Sequence, residues 1–389
     1  MRSSRLIFLV PTLLAAPLAL GQEAPSAAAA PQVDAALGKG VHFQGAEGFD
    51  LTVRARIQVL ANFTELNAGV LSSRPPDFAV RRARVVLTGQ ATRDFAYHLQ
   101  LGLAPLDLET GMISPVRDAY LTWKRWRVLQ VRAGQMKVPF DRQRMTSSSA
   151  LQLVDRSLVM RELTLDRDIG VTLFSDDLLG TDRKLAYRLG VFGGEGRSRT
   201  TQTPGLLYSA RLEATPLGSF NTADESDLER EPRPRLGLGV AVANHAGTRR
   251  TLSTTGDFFP EGTARYRHAT ADVHFKWRGV SALASGLYRK AGRRVFDAEA
   301  RELSRSGWGG FVQGGVFVAR PLELTARYGA LEPLPADRSA LQPLRELGGG
   351  LNLFASGRAL NLQADYFYLW HRSFSGGDHQ VRVQTQVYF

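Results

Sequence analysis

From Phe49 onward the chain alternates apolar and polar side chains with a period of two, and this pattern limits its fold more than any other feature. Leu51, Val53, Ala55, Ile57, Val59 and Ala61 fall on one face of the first segment; Thr52, Arg54, Arg56, Gln58 and Asn62 fall on the other. Period two is the mark of strands with unlike faces. Sixteen such segments can be counted: 51–63, 80–90, 95–103, 116–123, 129–135, 168–174, 185–192, 206–214, 235–244, 266–277, 280–288, 307–318, 322–328, 344–354, 360–369 and 379–389.

Alternation alone fits a soluble sandwich as well as a membrane barrel, and three further features favour the barrel. Many segments are about ten residues long, the length a tilted strand needs to cross a bilayer. Tight connections such as Ala91–Asp94 and Arg320-Pro321 alternate with long ones over 63–79, 136–167, 193–205, 245–265, 289–306 and 330–343, as short periplasmic turns alternate with long outer loops. The last segment puts Val381, Val383, Val387 and Phe389 on one face and finishes on an aromatic ring. One connection breaks the rule, the acidic stretch around 224–231. Past residue 20 no run approaches 18 apolar residues, so helical spans are not expected. Backbone groups in hydrocarbon must then be paired by closing the sheet. The expected fold is all-β, a transmembrane antiparallel β-barrel of about 16 strands with a long loop folded into the pore. Tyr97, Tyr120, Trp123, Trp126, Trp277, Tyr288, Tyr328, Tyr366, Tyr368, Trp370 and Tyr388 lie near strand ends, where interfacial girdles form.

Ahead of the sheet, Arg2 and Arg5 precede an apolar stretch, Leu6–Leu20, and Ala19-Leu20-Gly21 fits a cleavage site. Residues 1–21 read as a cleaved signal peptide, too short and too proline-broken to anchor in a membrane. Residues 22–48, rich in Ala, Pro and Gly, read as a flexible periplasmic lead-in, and 49–389 as the barrel. The expected location is the bacterial outer membrane. Cysteine is absent, which excludes disulfide staples and thiolate metal sites.

The 49 Lys and Arg exceed the 37 Asp and Glu, for a net charge of +12. Such a field attracts anions. An exported chain without nucleic-acid-binding signatures is expected to meet small anions or other hydrophilic solutes, outer-membrane lipid and lipopolysaccharide, and not nucleic acid. The polar strand faces should line the lumen. Arg54 and Arg56 lie on that face of the first segment, and Arg82 and Arg84 share a face of the second. In a hairpin turning at 63–79, the four would form a descending staircase with steps of about 6–7 Å. Arg132, Arg188, Arg211, Arg327 and Arg382 are further inward candidates. Crowded like charges cost folding energy, and an arginine-lined pore favours anions. The competing reading is a neutral wall, with Glu213, Asp272, Glu323 and Asp365 pairing these arginines.

Connection 136–167 is the longest. It carries Lys137, Arg142, Arg144, Arg156, Arg161 and Arg167, and enough apolar residues (Leu151, Leu153, Val154, Leu158, Val159, Met160) to pack as a folded element. Loops of that length are usually functional, and this one is expected to narrow the channel.

FAVRRARVVLTGQ, RDAYLTWKRWRVLQVRAGQMKVPFDRQ, VDRS and DRDIGVTLF resemble the blocks of the phosphate-selective porin O and P family. Arg81–Arg84, Gly134–Phe140 and Asp155–Ser157 carry most of the likeness, which spans about 49–389 and is strongest over 78–192. The resemblance implies a sixteen-stranded, trimeric barrel whose third outer loop enters the pore, with an arginine ladder and a lysine cluster in members named for phosphate. Here Lys137 is the only lysine in the long loop.

His268, Asp272 and His274 offer fewer than the three or four convergent ligands a metal needs. Ser147-Ser148-Ser149 has no base beside it in sequence. We therefore expect no enzyme, metal or cofactor, but a porin passing small hydrophilic solutes by diffusion with a bias to anions, phosphate among them. The anion-binding candidates are Arg54, Arg56, Arg82, Arg84, Arg132, Lys137, Arg142, Arg144 and Arg156. The rival readings are a saccharide-specific barrel and a hydrolase built on a barrel.

Overall fold

The computed structural model describes residues 32–389 apart from 47, 73–74, 109–113, 202 and 335–339. The expected signal segment 1–21 lies outside the described residues. Two short strands, β1 (Gln32–Ala36) and β2 (Gly40–Gln44), precede the first barrel hairpin, β3 (Asp50–Glu65) and β4 (Asp77–Gln90). Then follow β5 (Phe95–Gly102), β6 (Val116–Trp123), β7 (Gln130–Lys137), β8 (Arg167–Ser175), β9 (Leu185–Phe192), β10 (Leu207–Ala214) and β11 (Arg235–Thr248). The ring is completed by β12 (Ala264–Trp277), β13 (Val280–Arg293), β14 (Gly307–Phe317), β15 (Leu322–Pro333), β16 (Leu344–Arg358), β17 (Leu360–Trp370) and β18 (Asp378–Tyr388). From β3 on, each strand pairs antiparallel with the next, and β18 returns to β3 from His379 opposite Glu65 to Tyr388 opposite Arg56. The sixteen segments read from the alternation are these sixteen barrel strands.

Apolar residues turn outward. Leu238, Val240 and Val242 of β11 and Leu347, Leu351 and Leu353 of β16 are exposed, while Gly239, Ala241, Gly348 and Asn352 between them are turned inward, Ala241 and Asn352 fully buried. Trp277, Tyr288, Trp308, Tyr328 and Tyr366 also face out. Tyr120 does not. It stacks inside on His98, with centroids 4.8 Å apart, because it shares parity with inward Asp118 and Thr122. At the short-turn end, Arg278-Gly279 joins β12 to β13 with φ of +49° and +87°, the two-residue hairpin that matches strand twist.

The lead-in holds a difference from expectation. Its described part contains the β1–β2 hairpin, and β2 pairs with the start of β3 from Val41 opposite Val53 to Gln44 opposite Asp50. β3 is 16 residues long and outreaches β18, leaving backbone groups for β2 to take up. Gly38, at φ +78°, makes the turn and donates to the Tyr388 carbonyl at 2.9 Å.

The main apolar core lies inside the ring. Val138, Phe140, Leu158, Val159, Met160, Leu163 and Leu165 of the 138–166 connection pack with Leu283, Leu287, Phe311 and Leu331 of β13, β14 and β15. Burying each large side chain contributes roughly 1.5–3 kcal/mol, enough to fix the connection to the wall. It contains two short helices, α1 (Arg142–Met145) and α2 (Leu158–Leu163). Asp141 caps α1 by accepting from the Gln143 amide at 2.7 Å, and Ser157 caps α2 by accepting from the Met160 amide at 3.1 Å. The Asp155-Arg156-Ser157 block thus ends on a helix cap.

Candidate functional site

Charge is concentrated where β3–β9 face the 138–166 connection. Asp155 of that connection receives Arg81 at 2.7 Å, Arg382 at 3.1 Å and Arg82 at 3.4 Å. Burial pushes the Asp155 carboxyl up, but Arg81, Arg382 and Arg82 outweigh it and hold it well below the usual carboxylate range. Arg81 reaches this point because of a β-bulge: Gln58 pairs with Arg82 and Val59 with Val80, leaving Arg81 as the extra residue. A second bulge acts alike on the next hairpin. Gln100 pairs with Asp118 and Leu101 with Val116, and the extra residue is Arg117, which donates to the Asp107 carbonyl at 2.6 Å. A bulge puts two successive residues on one side of a sheet, and here it adds an inward arginine each time.

These groups surround a cavity of about 500 Å³ lined by ten arginines and Lys137 against Asp107, Asp118 and Glu213. A space of about 470 Å³ on the long-loop side shares Arg81, Arg82, Arg144 and Arg156 with it. Another, of about 370 Å³ on the short-turn side, shares Arg142, Arg188, Glu213 and Thr222. The central cavity therefore adjoins both of the others.

The lining cations differ in how far they are neutralised. Arg84 pairs with Asp107, Arg142 with Asp272 at 2.7 Å, Arg167 with Asp118 at 2.9 Å, and Arg188 with Glu213. Arg144 donates to Asp166 at 3.0 Å. Three others have no carboxylate partner among the described residues. Lys137 donates to the Met145 and Thr146 carbonyls at 2.8 and 3.1 Å, and Arg156 donates to the Gln143 and Thr146 carbonyls at 2.9 and 2.6 Å. Arg132 donates to the Thr122 hydroxyl at 3.2 Å and lies between the rings of Tyr120 and Phe174, 4.5 and 4.8 Å from their centroids. Burial together with Arg144 and Arg82 pushes Arg156 well below its ordinary value.

Of the residues singled out in the sequence, Arg82, Arg84, Arg132, Lys137, Arg142, Arg144 and Arg156 line the central cavity. Arg56 is buried beside it, sharing the Ser148 hydroxyl with Arg84 at 3.0 and 3.1 Å. Arg54 stands apart, bonded to Thr88 at 3.2 Å. The staircase is shorter than expected, because the register places Arg56 directly opposite Arg84 and the two share a level. Sequence reasoning missed Arg81, Arg117 and His98 as lining residues. Arg81 and Arg117 have lipid-face parity, and a charge there is costly. That conflict was the available signal of a bulge. The neutral-wall reading holds in places: Arg211 pairs with Asp272 at 2.7 Å and Arg382 with Asp365 at 2.8 Å. Asp272 is thus engaged by two arginines, and His268 bonds the Ser253 hydroxyl at 3.2 Å.

The acidic stretch now has a physical account. Connection 215–234 turns back to meet the 138–166 connection and the wall. The Glu225 amide donates to the Ala150 carbonyl at 3.0 Å, and its carboxylate accepts from the Gln152 amide at 2.8 Å and from Gln313 at 2.9 Å. Asp224 pairs with Arg358 at 2.6 Å, and Asp227 caps the Gly279 amide at 2.7 Å. The acids are spent on anchoring, while Thr222 and Ala223 reach the central cavity.

The model of the phosphate-selective porin O and P family matches residues 53–308. The chain belongs to that family. This porin also resembles solved barrels. The outer membrane channel DcaP of Acinetobacter baumannii is 14% identical with a TM-score of 0.58, covering 90% of this chain and 100% of that one. An anion-selective porin from Comamonas acidovorans is 11% identical at 0.55, covering 87% and 99%. The trimer form of in-vitro folded OmpT, an outer membrane protein of Vibrio cholerae, is 13% identical at 0.51, covering 87% and 99%. At such identities the likeness speaks for the fold. Among curated proteins, none matches this chain. Family and fold together make the protein an outer-membrane porin.

Proposed function

We propose that this porin passes small hydrophilic solutes by diffusion and favours anions, with the 138–166 connection as its constriction. The observation that carries the reading is the central cavity, whose lining holds eleven cationic side chains, three of them, Arg132, Lys137 and Arg156, with no carboxylate partner among the described residues. Arg132, Lys137 and Arg156 are held by carbonyls, a hydroxyl or aromatic faces, none of which cancels their charge. Burial and the neighbouring Arg144 and Arg82 disfavour the charged form of Arg156, and an entering anion relieves that crowding. Arginine forks take phosphate and carboxylate oxygens two at a time, and phosphate is one of the anions this site would pass. The inward rings of His98, Tyr120 and Phe174 are stacked on each other or on Arg132, which favours ion passage over a sugar-binding row. The Comamonas porin that shares this fold is itself anion-selective, in agreement with the reading.

We also propose a homotrimer, as in the trimer form of the Vibrio protein, and processing after Gly21 before insertion. Planar-bilayer recording under a salt gradient tests the selectivity. A zero-current potential on the anion side is expected, and one on the cation side would contradict the reading. Cross-linking in membranes should give a three-copy band.

A further inference from the structure

We propose that the outward face of β12 and β13 at their long-loop ends binds the phosphate groups of the outer-leaflet glycolipid, lipopolysaccharide. Arg265 and Arg267 of β12 stand directly opposite Arg293 and Lys290 of β13. All four are exposed, while Ala264, Tyr266, His268, Arg289 and Ala291 in alternation with them are buried. The pairing depends on a register shift between Arg265 and Tyr266. It leaves Gly292 as the extra residue, so that Lys290 and Arg293, three apart in sequence, both meet cations. Like charges placed directly opposite destabilise a sheet. Among the described residues none of the four has a carboxylate within ion-pair reach; Arg293 donates to the Thr263 hydroxyl at 2.6 Å. A sheet that accepts this cost gains if something anionic covers it.

The position of the patch says what that is. Below it, the outward side of β12 runs through Ala269, Ala271, Val273 and Phe275 to Trp277. Ten residues separate Arg267 from Trp277, a strand length of about 33 Å, which at the usual tilt spans roughly the 25 Å apolar band of a barrel. The cations therefore stand just above the outer girdle, where Tyr288 of β13 pairs with Trp308 of β14 and both face out. A ligand there has phosphates at headgroup height and acyl chains against the wall beneath. Free phosphate offers only the first half of that match. The proposal rests on the outer-membrane placement and not on the anion preference of the lumen.

The test uses the full chain in detergent, with bisphosphorylated lipid A and its dephosphorylated form as probes, read by native mass spectrometry. The wild type should retain the bisphosphorylated lipid and shed the other. R265Q/R267Q/K290Q should bind about a hundredfold more weakly with unchanged channel conductance. Equal retention of the two lipids, or equal binding by the variant, would overturn the assignment. Full displacement of the lipid by millimolar inorganic phosphate would make a free anion the ligand and overturn it too. Loss of the oligomer in the variant would make the face an interface between copies, which also rules out the lipid site. Should the variant fail to fold, the comparison of the two lipids on the wild type decides alone.

Discussion

The two halves of the inner wall differ. Along β3–β9 the inward side chains are mostly cations around open space. Along β11–β17 they are apolar side chains, Leu283, Leu287, Phe311 and Leu331, or polar and charged groups such as Gln313, Glu323, Asn352 and Arg289 bonded to connections 138–166 and 215–234. Both halves share the same antiparallel ladder, and two bulges on the cationic half add Arg81 and Arg117 to its inward side chains. Closing a barrel creates a lumen, and what fills one sector decides where the remaining path runs. In this porin the filled half holds the 138–166 connection in place, and the open half supplies the charge.

Undocking the filled half should have the largest effect. Leu158→Ser with Leu163→Ser removes two buried anchors of α2, and core truncations of this size cost about 2–5 kcal/mol each. Single-channel conductance should rise several-fold; an unchanged value would mean the connection does not narrow the path. Next comes charge. R132Q/K137Q/R156Q removes the three lining cations that lack carboxylate partners and should abolish most anion preference. R211Q, whose charge is balanced by Asp272 and Glu213, should leave selectivity nearly intact and lower thermal stability instead. If both variants moved selectivity equally, the distinction between balanced and free cations would fail. A smaller effect tests the 215–234 connection. Ala223→Cys, modified by an anionic thiosulfonate in a chain with no native cysteine, should partly block current. No change on complete labelling would remove Ala223 from the path.

Much of the fold was legible because the period of two carries both the strand and its facing, and the connection lengths carry the polarity of the barrel. Of the site, Arg82, Arg84, Arg132 and Lys137 followed from parity and position. Arg81 and Arg117 did not, since one inserted residue inverts the facing without altering composition. Connection 215–234 was opaque for another reason. Its partners Ala150, Gln313 and Arg358 are distant in sequence, and local pattern holds no trace of such pairings. The β1–β2 hairpin was hidden because two five-residue strands bordered by Ala, Pro and Gly give too short an alternation to read.

The asymmetry itself can be measured with two cysteines. Gln100→Cys on β5 lines the central cavity, and Ser285→Cys on β13 lies under the docked connection, where Ser285 bonds Asp141. With an anionic thiosulfonate added to the folded porin, Gln100→Cys should be modified rapidly and cut the current, while Ser285→Cys should stay unreactive. Equal rates at the two positions would contradict a path confined to the arginine side.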